Sequence, residues 1–231
     1  MRLSLIVSVL ESHEVVRRQL LQLGGALTPE CELILIDDGS ELSLQAVCDS
    51  VTKPYALRLH RTNDRRPWTQ PRGRNIGAAL ARAPKLLFFD IDHIVSAEVV
   101  HEALNFGGDK LHWERQPAIL DELGNIRTDR ETLVEHGMTD DAPSVHGNSF
   151  MIRRELFELL GGYDERFCGR YGGDDNDFNC RYAELCKFGL ARPEEVRGRG
   201  FVYPEPAQDK RGLFHGLGRQ VATQNLSEGA S

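Results

Sequence analysis

The 231 residues carry 28 Lys and Arg against 35 Asp and Glu, for a formal charge of -7, and 40% of them are hydrophobic. A chain this long buries a sizeable core as one large α/β domain or two small ones, with one favoured, and its acidic balance argues against a general nucleic-acid binder while leaving room for a local basic patch that meets a diphosphate. Five cysteines, Cys31, Cys48, Cys168, Cys180 and Cys186, form no Cys-x-x-Cys pair, so reduced thiols in a cytoplasmic protein are expected, and no apolar run approaches the roughly 20 residues of a spanning helix.

Leu3 to Leu10 reads as a buried first strand; polar Glu11-Ser12-His13-Glu14 follows at once, which argues against a signal peptide. Val15, Val16, Leu20, Leu21 and Leu23 mark the inner face of a helix from Glu14 to Leu23, which Gly24-Gly25 is expected to end. Glu32-Leu33-Ile34-Leu35-Ile36 is a second core strand that runs into Asp37-Asp38-Gly39-Ser40, where the glycine allows a tight turn and Ser40 starts a helix from Leu42 to Ser50. Ala56 to Leu59 is a third strand, and the alternation implies a parallel sheet with right-handed crossovers. Thr62 to Trp68, with Arg61, Arg65 and Arg66 in or beside it, reads as an exposed loop. Pro71 to Leu80 is a helix whose small residues permit close packing and whose start sets Arg72 and Arg74 beside free backbone N–H groups, an arrangement suited to anions.

The fourth strand, Leu86 to Asp92, ends in two carboxylates one residue apart. Alternate strand residues point to one side, so Asp90 and Asp92 are expected to face a site together, with His93 turned away or opening the next loop. Such an oxygen-rich pair suits Mn²⁺ or Mg²⁺ shared with substrate phosphates, although a solvated loop start has the same letters. Ala97 to Leu104 is a helix, and Asp109 to His136 is polar and poorly periodic, with a hairpin around Gly124-Asn125 as its reading. Ser144 to Ile152 returns to a strand, Arg153 to Leu160 is a short helix closed by Gly161-Gly162, and Tyr171-Gly172-Gly173-Asp174-Asp175-Asn176-Asp177 is a second acidic centre running into a helix through Cys186. Ligands of α/β sheets sit at the strands' carboxyl ends, which would line Asp37, Asp38, Asp90 and Asp92 along one crevice. Turn chemistry alone is the other reading of Asp38.

In this order the segments Ile36-Asp37-Asp38-Gly39-Ser40, Arg72-Gly73-Arg74-Asn75-Ile76-Gly77, Phe89-Asp90-Ile91-Asp92, Gly147-Asn148-Ser149-Phe150-Met151-Ile152-Arg153-Arg154 and Gly161-Gly162-Tyr163-Asp164-Glu165 resemble the GT-A glycosyltransferases, above all the large inverting family 2. The resemblance covers roughly residues 3 to 190. The stretch Tyr171 to Asp177 also looks like the acceptor-side motif of the β-1,4-galactosyltransferases.

The resemblance implies a single α/β domain with a mostly parallel, helix-flanked sheet over 1–218, comprising a nucleotide-binding half (1–95), an acceptor-binding half (96–203) and a lid loop (204–218), with a flexible tail at 219–231. It implies a donor that is a nucleotide-diphosphate sugar, uridine diphosphate by family habit, and a carbohydrate or other hydroxyl-bearing acceptor. Glu11, Asp37 and Asp38 would meet the nucleotide's base and ribose, Arg72, Arg74 and Asn75 would flank it, Asp92 would ligate Mn²⁺ or Mg²⁺, and Asp90 would meet the ribose or the metal. Asp175 matches the general base with Asp174 beside it, and Tyr171, His146 and Asn148 fall on the acceptor side.

This chain departs from the pattern in three places. Asp174-Asp175 replaces the usual Glu-Asp, Tyr171 stands where the galactosyltransferases stack a tryptophan on the acceptor, and Leu10-Glu11-Ser12 replaces a proline-threonine turn. His215, in a glycine-flanked loop, is the expected third metal ligand, with Lys210 and Arg211 meeting the phosphates as that loop closes; His93 and His146 are the alternatives. Two rivals remain in the letters: a haloacid-dehalogenase-type phosphatase with Asp90 as nucleophile, and a non-catalytic nucleotide-sugar-binding module.

Overall fold

The computed structural model describes residues 1–202 apart from 65, 67, 139–143 and 170. Strand β1 (Leu3–Val9) alternates strictly: Leu3, Leu5, Val7 and Val9 enter one core layer and Ile6 the other, with Ser4 and Ser8 on the Ile6 face. Helix α1 (His13–Ala26) continues through the glycines expected to stop it. Leu23, Ala26 and Leu27 are all buried in the first layer, and the Leu27 N–H still reaches the Leu23 carbonyl at 2.9 Å, so packing outweighs the cost of about 1 kcal/mol per helical glycine.

β2 (Cys31–Asp37) and β3 (Ala56–Arg61) lie beside β1. Between them α2 is only Gln45–Ser50, shorter than the sequence reading, because the Asp37 carboxylate takes the N–H groups of Ser40 (3.0 Å) and Leu44 (3.3 Å) and holds that stretch as a loop. α3 (Gln70–Leu80) leads to β4 (Lys85–Phe88), which stops before the paired acids. A turn closed by the His93 N–H on the Asp90 carbonyl (2.9 Å) follows, and β5 (His93–Ile94) begins directly after it. The turn, not strand alternation, therefore aims Asp90 and Asp92, and His93 is buried beside them instead of turned away.

After α4 (Ala97–Asn105) come β6 (Lys110–Pro117), the hairpin β7 (Ile119–Leu120) and β8 (Ile126–Arg127) expected around Gly124, α5 (Arg130–Glu135), β9 (Phe150–Arg153), α6 (Arg154–Leu159), α7 (Asp174–Lys187) and β10 (Glu195–Val202). β6 and β10 escape a periodicity reading for a physical reason. Lys110 and His112 count as solvent-facing letters yet are buried, and β10 mixes charges with glycines. β9 starts later than expected, because 146–149 is a turn in which the Ser149 N–H meets the His146 carbonyl at 3.2 Å.

Eight strands make one sheet in the order β3-β2-β1-β4-β9-β6-β10-β5. The pairs β1·β2, β1·β4, β2·β3 and β6·β10 are parallel, while β9 is antiparallel to both β4 and β6, and β5 to β10. Because Phe150 pairs with Phe88, the loop entering β9 and the turn leaving β4 meet at the same sheet edge. No described helix is long and apolar enough to cross a membrane.

Helix α3 lies unusually close to β1. A Cβ added at Gly73 would sit 2.4 Å from Ser8 Oγ, and one at Gly77 2.3 Å from Ile6 Cγ2. Ile6 is fully buried in the second core layer and has no room to yield. Gly77→Ala is therefore expected to destabilise the fold by about 1–3 kcal/mol through overpacking. Urea unfolding should show a lower midpoint with an unchanged slope; a midpoint at or above the wild-type value would contradict the close packing.

Candidate active site

A fully buried arginine organises the sheet edge. Arg74 of α3 donates from Nη2 to Asp90 Oδ1 at 2.6 Å, and from Nη1 to Asn148 Oδ1 and the Tyr163 hydroxyl at 2.7 Å each. Gln70, one turn earlier, donates to the same Asp90 oxygen. Burial works against the charged form of Asp90, but Arg74, with His93, His146 and Gln70, holds its carboxyl below the usual range. Asp90 Oδ2 lies 3.8 Å from His146 Nδ1. Asp90, His93 and His146 offer ligand atoms that all lie within 4.8 Å of one another. His93 is pushed down to about 4 mainly by burial, and burial likewise lowers His146, so both imidazoles are neutral at pH 7.

The second acidic centre begins α7, where the helix dipole favours negative charge. Asp174 is buried, takes the Trp68 indole N–H at 3.3 Å on Oδ1, and has Oδ2 without a hydrogen-bond partner. Burial raises its carboxyl above the usual range. Asp175 is partly exposed and borders the loop before β9: a Cβ on Gly147 would be 3.4 Å from Asp175 Oδ2. The Tyr171 ring, 47% exposed, meets Trp68 edge-on with centroids 4.6 Å apart. A tryptophan from a distant loop thus stands beside the tyrosine at the position where an acceptor-stacking ring is expected.

Lys110 of β6 fixes α7 against this loop. Fully buried, it donates to Asn179 Oδ1 (2.6 Å) and Glu194 Oε2 (2.9 Å) and lies over the Phe150 and Tyr182 rings, while Asn179 donates to the Gly147 carbonyl at 3.3 Å. Hydrogen bonds from His112 first, and then Lys110, hold Glu194 down to about 2.

Several expected nucleotide contacts have their polar atoms committed elsewhere. Asp37 is fully buried with both oxygens on backbone N–H groups, and Arg61 Nε is 3.7 Å from Oδ2. Glu11, at φ 60°, takes the Glu41 N–H on Oε1 at 2.7 Å and joins the β1–α1 loop to the β2–α2 loop. Asn75 clamps Tyr163, giving Nδ2 to its carbonyl (2.9 Å) and taking its N–H on Oδ1 (2.8 Å). Arg74 has no exposed surface, and Asn148 is buried with its side-chain oxygen on Arg74, so neither presents those atoms to a ligand. Asp38 is partly exposed, takes the Thr62 hydroxyl at 3.1 Å, and is raised by burial. Arg72 is part of an open cleft of about 860 Å³, lined also by His60, Arg61, Asn63, Asp64 and Arg66, in which its Nη1 meets Asp64 at 2.6 Å. Asp92 sits in the turn beside Asp90, partly exposed. His215, Lys210, Arg211 and the lid and tail at 204–231 lie outside the described residues, as does Arg65. Trp68, Gln70, Lys110 and Arg115 complete the site without having been marked as site residues by any motif; the one signal available for Trp68 was an aromatic residue in an otherwise polar loop.

A family model described as Glycosyl transferase family 2 matches residues 4–161. No curated protein matches the chain. The fold is similar to that of S. aureus TarS 1-349 (TM-score 0.61, 21% identity, covering 88% of this chain and 60% of that one) and to the same protein in complex with UDP-GlcNAc (0.66, 17%, 89% and 59%). It is also similar to the mannosyltransferase PcManGT from Pyrobaculum calidifontis in complex with GDP-Man and Mn²⁺ (0.62, 16%, 89% and 57%). The chain thus spans well under two thirds of these proteins.

Glu194 gives a pH test of the Lys110 clamp. Its folded pKa of about 2 lies below its ordinary value of 4.5, so its contribution is full above about pH 4.5 and is lost as pH falls toward 2. The stability gap between wild type and Glu194→Gln, measured by urea unfolding, should be widest near pH 6 and narrow progressively as pH falls below 4.5 toward 2. A gap that stays constant with pH would refute the pairing.

Proposed function

The chain belongs to glycosyl transferase family 2, and from that premise we propose that it moves a sugar from a uridine-diphosphate sugar to an acceptor hydroxyl, with metal assistance and inversion at the anomeric carbon. The observation that carries this reading is the meeting of two acidic centres at one sheet edge, Asp90 and Asp92 after β4 and Asp174 and Asp175 at the start of α7, around the loop at His146 and Gly147. Similar structures add support, since TarS has been solved in complex with UDP-GlcNAc and PcManGT in complex with GDP-Man and Mn²⁺. All five cysteines are free, which supports a reducing, cytoplasmic setting.

The residues present fit a divalent metal. Ligand atoms of Asp90, His93 and His146 all lie within 4.8 Å of one another, with Asp92 in the same turn, and this mixed oxygen and nitrogen set favours Mn²⁺ over Mg²⁺. A metal there would supply Lewis-acid neutralisation of the departing diphosphate. Arg74 and Gln70 hold Asp90 so that Oδ2 faces His146. Asp38 and the Arg72 cleft lie on the nucleotide side, and Trp68 with Tyr171 forms an aromatic wall for the acceptor. Asp175 takes the acceptor's proton on Oδ2, and attack from the side opposite the diphosphate inverts the anomeric centre.

A panel of nucleotide sugars and hydroxyl acceptors, screened with Mn²⁺ by thermal shift and then by release of free nucleotide, tests the activity. Asp175→Asn is expected to keep donor affinity within about threefold while transfer falls by about 10² to 10⁴. Transfer at the wild-type rate would remove Asp175 as the base. Asp92→Ala should lose most of the Mn²⁺-dependent donor binding in calorimetry, and equal affinity with and without metal in the wild type would refute the metal role.

A further inference from the structure

Beside the Asp-x-Asp turn the protein holds a cation of its own. Arg115, on β6, donates from Nη1 to His93 Nε2 at 2.7 Å and from Nη2 to Ser144 Oγ at 3.3 Å, while its Nε is buried without a partner. Its backbone is fixed by two bonds to Ser144, at 2.8 and 3.2 Å. On the other side of the same imidazole, His93 Nδ1 meets the Ser149 hydroxyl. A guanidinium only donates, so Nε2 carries the lone pair and Nδ1 the proton given to Ser149. The tautomer is thereby fixed, and Nε2 is the one atom of His93 able to ligate a metal. Arg115 already occupies it.

A divalent cation shared by Asp90, His93 and His146 needs that lone pair, and it would carry two positive charges into the place of a guanidinium hydrogen bond. Both cannot be present together. We propose that Arg115 and a divalent cation alternate on His93 Nε2, so that metal entry releases Arg115 within reach of the diphosphate. The second clause rests on the nucleotide-sugar reading of the site; the competition itself does not. By linkage, a nucleotide that engages the released guanidinium must in turn tighten the metal. The device makes the site hold metal poorly when empty and well when the nucleotide is present. His93 is buried and pinned by Ser149, so the exchange is carried by the longer, half-buried Arg115 side chain.

The test is a titration of the 231-residue chain with MnCl₂, read by the loss of the free-ion paramagnetic resonance signal, with and without UDP. Without nucleotide, Arg115→Gln should bind Mn²⁺ roughly tenfold more tightly than wild type, the size of one charge-assisted hydrogen bond that no longer has to break. Arg115→Lys, which keeps a charged donor, should stay near wild type. UDP should tighten Mn²⁺ more in wild type than in Arg115→Gln. His146→Gln, at a partly exposed position, should weaken Mn²⁺ in either background. Equal or weaker Mn²⁺ binding by Arg115→Gln without UDP overturns the proposal, as does an absence of Mn²⁺ binding by every form. Sugar transfer from the nucleotide-sugar panel is scored separately: failure there with a tighter Arg115→Gln leaves the competition standing and removes the proposed activity, while transfer with unchanged Mn²⁺ affinity does the reverse.

Discussion

The buried ion pair between Arg74 and Asp90 is the constraint on which the rest of the site depends. A guanidinium with no exposed surface is tolerable only if most of its donors are met, and the chain meets Nη1 and Nη2 from the β4 turn, the loop before β9 and Tyr163, leaving Nε without a hydrogen-bond partner. Removing one partner of such a pair typically costs about 3–5 kcal/mol, because the other charge stays buried. The pair therefore locks three loops onto α3 together, and α3 is itself set against β1 by Gly73 and Gly77. Ring contacts among Phe88, Phe150, Phe157, Tyr163 and Phe178 fill the space beneath this network, which keeps it dry and stiff.

The sheet order explains how acids from distant parts of the chain arrive at one edge. Inserting antiparallel β9 between β4 and β6 places residues 146–149 beside the Asp90 turn, and the Lys110–Asn179 contact carries α7, with Asp174 and Asp175, against the same loop. Four carboxylates gathered in this way would repel one another strongly without compensation. Arg74 and Arg115 supply it: Arg74 helps pull Asp90 down against its burial, Asp92 and Asp90 act on Arg115, and burial pushes Asp174 up.

The local pattern of the chain was enough for the first half of the fold. The β-α-β-α-β order, the buried first strand and the acids at strand ends all follow from near neighbours, and the hairpin around Gly124 was also legible. β6 and β10 were not, because the burial of Lys110 and His112 is made possible by Glu194 and the rings of Phe150 and Tyr182, none of them nearby in sequence. The extension of α1 past two glycines was hidden for a similar reason, since the layer that buries Ala26 and Leu27 is built by distant strands.

By itself the sequence determined the fold class and the family and marked candidate acids, since these rest on short segments read in order. Only the tertiary structure decided which of those acids are already committed. Asp37 is closed by its own loop, Asp90 gives one oxygen to Arg74 and keeps the other toward His146, and His93 joins the cluster because a turn replaces the expected strand. The physical reason is separation along the chain: the partners of Arg74 lie 16, 74 and 89 residues away, so the network that sets each group's charge and direction exists only once the sheet has closed.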